Sequence, residues 1–164
     1  MSESKELFKV SENEYGQEYK NHLFAQYQLY VESVEKISDH RQNANNYFIT
    51  INTVLISFLG ILFQTKLLES VTWVKSLVSV VGIIICGIFW FLLRSYKQLN
   101  TGKFKVIHEI EQKLPLRLYD YEWKILEEGK NKKVYFPFSH IEMIIPWVFG
   151  VVYVILGFLF LKCG

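Results

Sequence analysis

Apolar and polar positions in this chain are sorted into blocks. Tyr47 to Phe63, Val71 to Leu93 and Ile141 to Leu161 are nearly free of charge. Each is about 17 to 23 residues long, the length of helix that crosses a hydrocarbon core of roughly 30 Å. Inside a bilayer the backbone must satisfy its own hydrogen bonds, and no long apolar/polar alternation points to a barrel, so the three blocks predict helices. The expected fold class is all-α. It is a polytopic transmembrane helical protein with three membrane spans, a long N-terminal helix continuous with the first span, and cytoplasmic amphipathic helices.

The polar segments have patterns of their own. Residues 1–12 are rich in Ser, Glu and Lys and are expected to be mobile. From 13 to 46 a helical stalk is predicted. Leu23, Tyr27, Tyr30, Val34, Ile37, Arg41, Ala44 and Phe48 alternate steps of four and three, so they share one helix face of the kind used in coiled-coil contacts, and only Arg41 breaks its apolar character. No Pro or Gly occurs between Gln17 and Leu59, so the stalk should run unbroken into the membrane. A transmembrane hairpin follows over 47–93, a cytoplasmic helical collar over 94–138 and the third transmembrane helix over 139–162.

Within the collar, Asn100 and Gly102 offer a break or a bend. Phe104, Ile107, Ile110 and Leu114 give the next helix an apolar side, and Pro115 closes it. Asp120 is the expected N-cap of a short helix that runs through Glu128 and stops at Gly129. Ser139 and Glu142 have capping-box spacing, with Phe138 and Met143 placed as a hydrophobic staple, so the third span is expected to begin at Ser139. An acid near a membrane also invites a proton-relay reading. The cap is the favoured role of Glu142. Pro146, a turn further on, would kink the helix or be tolerated near its start.

Composition refines this picture. The chain is 51% hydrophobic and yet 21% charged, so its charges must collect outside the apolar blocks. Ten of the 18 Lys and Arg residues lie between Arg94 and Lys133 and five precede the first span, while the loop between the first two spans holds Lys66 alone, with Lys75 just inside the second. The positive-inside rule then places the N-terminus and the central segment in the cytoplasm and the C-terminus outside. The N-terminal segment is too polar for the apolar core of a signal peptide, so the first span is expected in the mature protein. Basic residues scattered among acids leave no nucleic-acid footprint. Cys86 and Cys163 form no framework of bridges, and His22, His40, His108 and His140 lack ligand spacing, so neither a metal nor a cofactor is expected. No nucleophile with a base, no glycine-rich phosphate loop and no catalytic pair of carboxylates is present, which predicts a non-enzyme with no catalytic residues.

The candidate site is a polar stripe on the first span. Asn43, Asn46, Thr50, Thr53, Ser57, Gly60 and Gln64 step by three and four, while Asn45 and Asn52 lie nearly opposite as a second polar face. At least one face should meet another helix or water, because unpartnered amides in lipid are costly. The first stripe is therefore either inter-subunit packing or pore lining. Arg41 marks the cytoplasmic boundary, as a snorkelling contact to lipid phosphate or as a ring of charge at the mouth of an assembly. Ser79, Gly82 and Cys86 on the second span, and Gly150, Tyr153 and Gly157 on the third, have the small-residue spacing of helix-packing faces.

"HRQNANNYFITINT" at His40 to Thr53, "SYKQLNTGKFKVIHEIEQKLP" at Ser95 to Pro115, "YEW" at Tyr121 to Trp123 and "IEMIIPWVF" at Ile141 to Phe149 together resemble the RipA-family octameric membrane proteins of bacteria. The chain is also similar, more loosely, to the SLATT class of membrane effectors. The first resemblance implies a prokaryotic inner-membrane homo-oligomer, an octamer. The second implies membrane permeabilisation beside a nucleotide-sensing partner. The resulting expectation is a pore or membrane-permeability effector whose partners are itself and membrane lipid. The alternative is a non-conducting scaffold that binds an unknown cytoplasmic protein through the collar face of Phe104, Ile107 and Leu114.

Overall fold

In a computed structural model, residues 7–64 and 72–162 are described. They form α1 (Glu12–Tyr15), α2 (Tyr19–Gln64), α3 (Thr72–Glu111), α4 (Leu118–Ile125), a 3-10 turn (Glu127–Gly129), α5 (Phe138–Glu142) and α6 (Ile145–Lys162), with no strand among the described residues. Three stretches, Tyr19–Leu62, Trp73–Glu111 and Phe138–Phe160, are long and apolar enough to cross a membrane. The fold is all-α with three candidate spans, and its long N-terminal helix continues into the first of them. The loop between the first two spans, Cys163 and the first half of the expected mobile N-terminus lie outside the described residues.

The chain divides into two compact units. The membrane unit comprises His40–Lys97 and Pro137–Gly164. At its centre Leu59, Cys86, Tyr153 and Phe160 are buried, with Leu55, Ile56, Val78, Phe149 and Leu156 packed around them. Gly82 permits the closest approach here, since a Cβ at that position would overlap the Tyr153 ring. Phe48 stacks on Phe89 with ring centroids 4.8 Å apart. Lys75, a costly cation in a span, sits over the Phe160 ring at 5.8 Å.

The charged unit comprises Met1–Asp39 and Gln98–Phe136. Val34, Ile107 and Ile110 are buried in it. Lys103 donates to Ser33 Oγ at 2.7 Å while lying over the Tyr30 ring, and Tyr27 donates to Glu111 at 3.0 Å. All eight residues of the α2 seam from Leu23 to Phe48 are buried or half-buried. Tyr27, Tyr30 and Phe48 each contact α3 within one protomer.

Four local expectations are corrected. α3 continues unbroken past Asn100 and Gly102, because one glycine costs a helix only about 1 kcal/mol and burial of Ile107 and Ile110 on the following turns outweighs that. The apolar side expected to bind a partner is internal: Ile107 is fully buried and Phe104 packs edge-on against Tyr119. α4 starts before Asp120, with Arg117 at its N-cap, and ends at Ile125. Its first turn is capped from outside by Glu111, which accepts from the Tyr119 and Asp120 amides at 3.0 Å each. Asp120 instead pairs with Lys124 one turn on, at 2.7 Å.

The capping box at Ser139 does not form. α5 begins at Phe138 with Pro137 at its N-cap and no side-chain cap. The helix then opens at Met143 and Ile144 before α6 starts. Pro146 explains this interruption, since it has no N–H to give the Glu142 carbonyl. As the second residue of α6 it needs no intrahelical partner.

Candidate functional site

The membrane unit assigns the two polar faces of α2 to different surroundings. Asn52 is fully buried: its Nδ2 donates to the Phe48 carbonyl at 2.7 Å, and its Oδ1 accepts from Cys86 Sγ at 3.4 Å. The Tyr153 hydroxyl, also buried, donates to the Asn52 carbonyl at 3.3 Å. Asn45, two turns earlier, is buried with no partner for its Oδ1. This face therefore serves the interior of a single protomer, where it joins all three spans.

The other face points away from the protomer. Asn43, Asn46, Thr50, Thr53, Ser57 and Gly60 are all exposed, and the side chain of Gln64 lies outside what is described. Three of the hydroxyls are satisfied within their own helix: Thr50, Thr53 and Ser57 each donate to the carbonyl four residues earlier at 2.8 Å. Such back-bonding lets a hydroxyl face hydrocarbon at little cost. Among the described residues Asn43 and Asn46 have no such internal partner, so the demand for outside contacts is concentrated at one end of the stripe.

Arg41 and Glu142 meet next to that end. The carboxylate is 3% exposed and the arginine side chain 20%, with Nε 3.4 Å from Oε2. The Nε–H nonetheless has no hydrogen-bond partner, so the attraction is Coulombic without the alignment of a good bidentate pair. The sequence suggests for Arg41 a snorkelling contact to lipid phosphate or a ring of charge at the mouth of an assembly; in the protomer its side chain faces Glu142. Its inward position offsets part of the cost of taking the Glu142 carboxylate out of water.

The small residues of the second and third spans meet each other. Gly82 faces Tyr153, and Ser79, 2% exposed, has its Cβ 3.7 Å from where a Gly157 Cβ would lie. Cys86 is buried as a free thiol. Gly150 is different, since a Cβ there would meet nothing within 4 Å.

Sequence reasoning missed two features. The Arg41–Glu142 pair joins residues from opposite ends of the chain, and no local spacing announces it. Glu111 resembles any solvated charge on an amphipathic helix. Its only sequence signal is a position one turn before a Pro-terminated helix end.

These elements amount to a multi-pass helical membrane protein with one polar face of α2 inside the protomer and the other exposed. Comparison with curated proteins and with solved structures gives no match. A family model matches residues 24–162, most of the described chain, and by that match the chain belongs to the octameric membrane protein family, 8xMP.

Proposed function

We propose that eight copies of this chain surround a permeation path in the prokaryotic inner membrane, with Asn43, Asn46, Thr50, Thr53 and Ser57 of each α2 turned toward it. The observation that carries this reading is the assignment of the two polar faces. Asn45 and Asn52 are buried inside the protomer, whereas the opposite stripe is exposed along its described length. Amides at one end and self-bonded hydroxyls along the rest suit a wetted wall of moderate polarity. The orientation follows the excess of basic residues from Arg94 to Lys133, with the N-terminus cytoplasmic. No reaction and no cofactor form part of this proposal.

The test is conductance of purified oligomer in liposomes across voltage, pH and membrane tension. Asn46→Leu with Thr50→Leu is expected to change the unitary current while leaving the oligomer intact. Absence of any current above empty liposomes would overturn the pore.

One observation favours the second reading, a non-conducting scaffold. Leu116, Leu118, Tyr121 and Ile125, on and beside α4 in the charged unit, are all more than half exposed, a patch of the kind that binds protein. A scaffold predicts impermeable oligomers, with capture of a cytoplasmic protein lost when Tyr121 and Ile125 are made polar.

A further inference from the structure

The seam between α3 and α6 can be followed level by level. Gly157 lies beside Ser79, Tyr153 beside Gly82, and Trp147 beside Trp90, whose rings are edge-on at 6.3 Å. Gly87 and Gly150 fall between the last two levels, and a Cβ on either would meet nothing within 4 Å. The surface beside both glycines is therefore open, between the level of Tyr153 and that of the tryptophan pair. Ile83 and Val154 flank it and are exposed.

At the tryptophan end stands Arg94, the first cation after the apolar run of the second span. Its guanidinium lies over the Trp90 ring at 5.3 Å. No carboxylate lies within ion-pair distance of it among the described residues. The side chain is exposed, yet stacking holds it in place, with its N–H donors free for an acceptor from outside the protein. A planar, always-charged group with unused donors is suited to bidentate contact with a phosphate. Its level, at the junction of an apolar span with two tryptophans, is where phospholipid phosphates lie.

We infer that Arg94, Trp90 and Trp147 form a site for an anionic phospholipid, with its phosphate on the Arg94 guanidinium and an acyl chain over the open apolar surface at Gly87 and Gly150. Charge complementarity selects the headgroup. The glycines make room for the chain, which distinguishes the occupant from a free phosphate ion.

The experiment measures lipid retention on purified, delipidated oligomer by native mass spectrometry, with phosphatidylglycerol and phosphatidylcholine added separately. Wild type is expected to retain phosphatidylglycerol about fivefold better, the worth of roughly one interfacial cation. Arg94→Gln should abolish the preference, and Arg94→Lys should keep part of it, because the charge stays while the planar stack is lost. Gly87→Leu should lower retention of both lipids while leaving the preference. Equal retention of the two lipids by wild type, or an unchanged preference in Arg94→Gln, overturns the site. Displacement of phosphatidylglycerol by millimolar inorganic phosphate also overturns it, in favour of a soluble anion. Disulfide-linked dimers of Trp147→Cys overturn it in favour of a second copy of the chain. If Arg94→Gln fails to assemble, the wild-type headgroup comparison and Arg94→Lys decide the matter.

Discussion

Two buried carboxylates, one in each unit, are held in opposite ways. Glu111 in the charged unit is fully buried and accepts three hydrogen bonds, from the Tyr27 hydroxyl and the Tyr119 and Asp120 amides, with no cation bonded to it among the described residues. Glu142 in the membrane unit has a cation at 3.4 Å and no hydrogen bond from it. Dipoles held in place can replace the water around an ion without adding a second ion to be buried. A misaligned ion pair replaces less of that water and brings a second desolvation cost. Glu111 is thus the stronger structural fixture, and Glu142 the one more open to rearrangement.

The largest expected effect is at Glu111. Glu111→Leu leaves two amides and a phenol without an acceptor, and at about 1 kcal/mol or more apiece the charged unit should lose roughly 3 kcal/mol. Denaturant unfolding of the purified protein measures it. An unchanged midpoint would show that the α4 cap is dispensable.

Next is the ion pair. Glu142→Met should cost about 2 kcal/mol, discounted from a fully buried pair because Arg41 keeps some access to water. Adding Arg41→Met should restore most of that loss. A double variant as unstable as the sum of its singles would mean that the two side chains do not depend on each other.

The smallest effect concerns pH. Burial pushes the Tyr119 phenol above its ordinary value, and the carboxylates of Glu35, Glu122 and Glu111 add to the shift. A raised phenol value contributes stability that is fully present below the unfolded value of about 10 and is lost as pH rises through the folded value. The melting temperature should therefore fall on the alkaline side, and Tyr119→Phe should flatten that fall. Asp120 behaves in the opposite sense. The hydrogen bond from Lys124 lowers its carboxyl, so its small contribution is present above the ordinary aspartate range and lost as pH falls through the folded value.

The sequence made the periodic features legible. The three apolar blocks became the three candidate spans, and the seam from Leu23 to Phe48 is the shielded face of α2, because a step of 3.5 residues leaves a helix little choice of which side to bury. The identity of the surface opposite that seam was not legible. It is α3 of the same chain, where a coiled-coil pattern equally fits a neighbouring subunit. Caps were the least legible, since Ser139 and Asp120 satisfy local rules that were overridden by Arg41 and Glu111, brought close only by folding. The candidate site was half legible: spacing separated the two polar faces of α2, and only packing against Cys86 and Tyr153 identified the inner one.

The back-bonded hydroxyls of Thr50, Thr53 and Ser57 bear on biogenesis. A newly inserted subunit can rest alone in lipid along that part of the stripe, because its donors are already occupied. Encounter between subunits is then a separate, later and concentration-dependent event, and Asn43 and Asn46 are the amides of the stripe that the helix itself leaves without a partner. At low expression such a chain would accumulate as folded single copies.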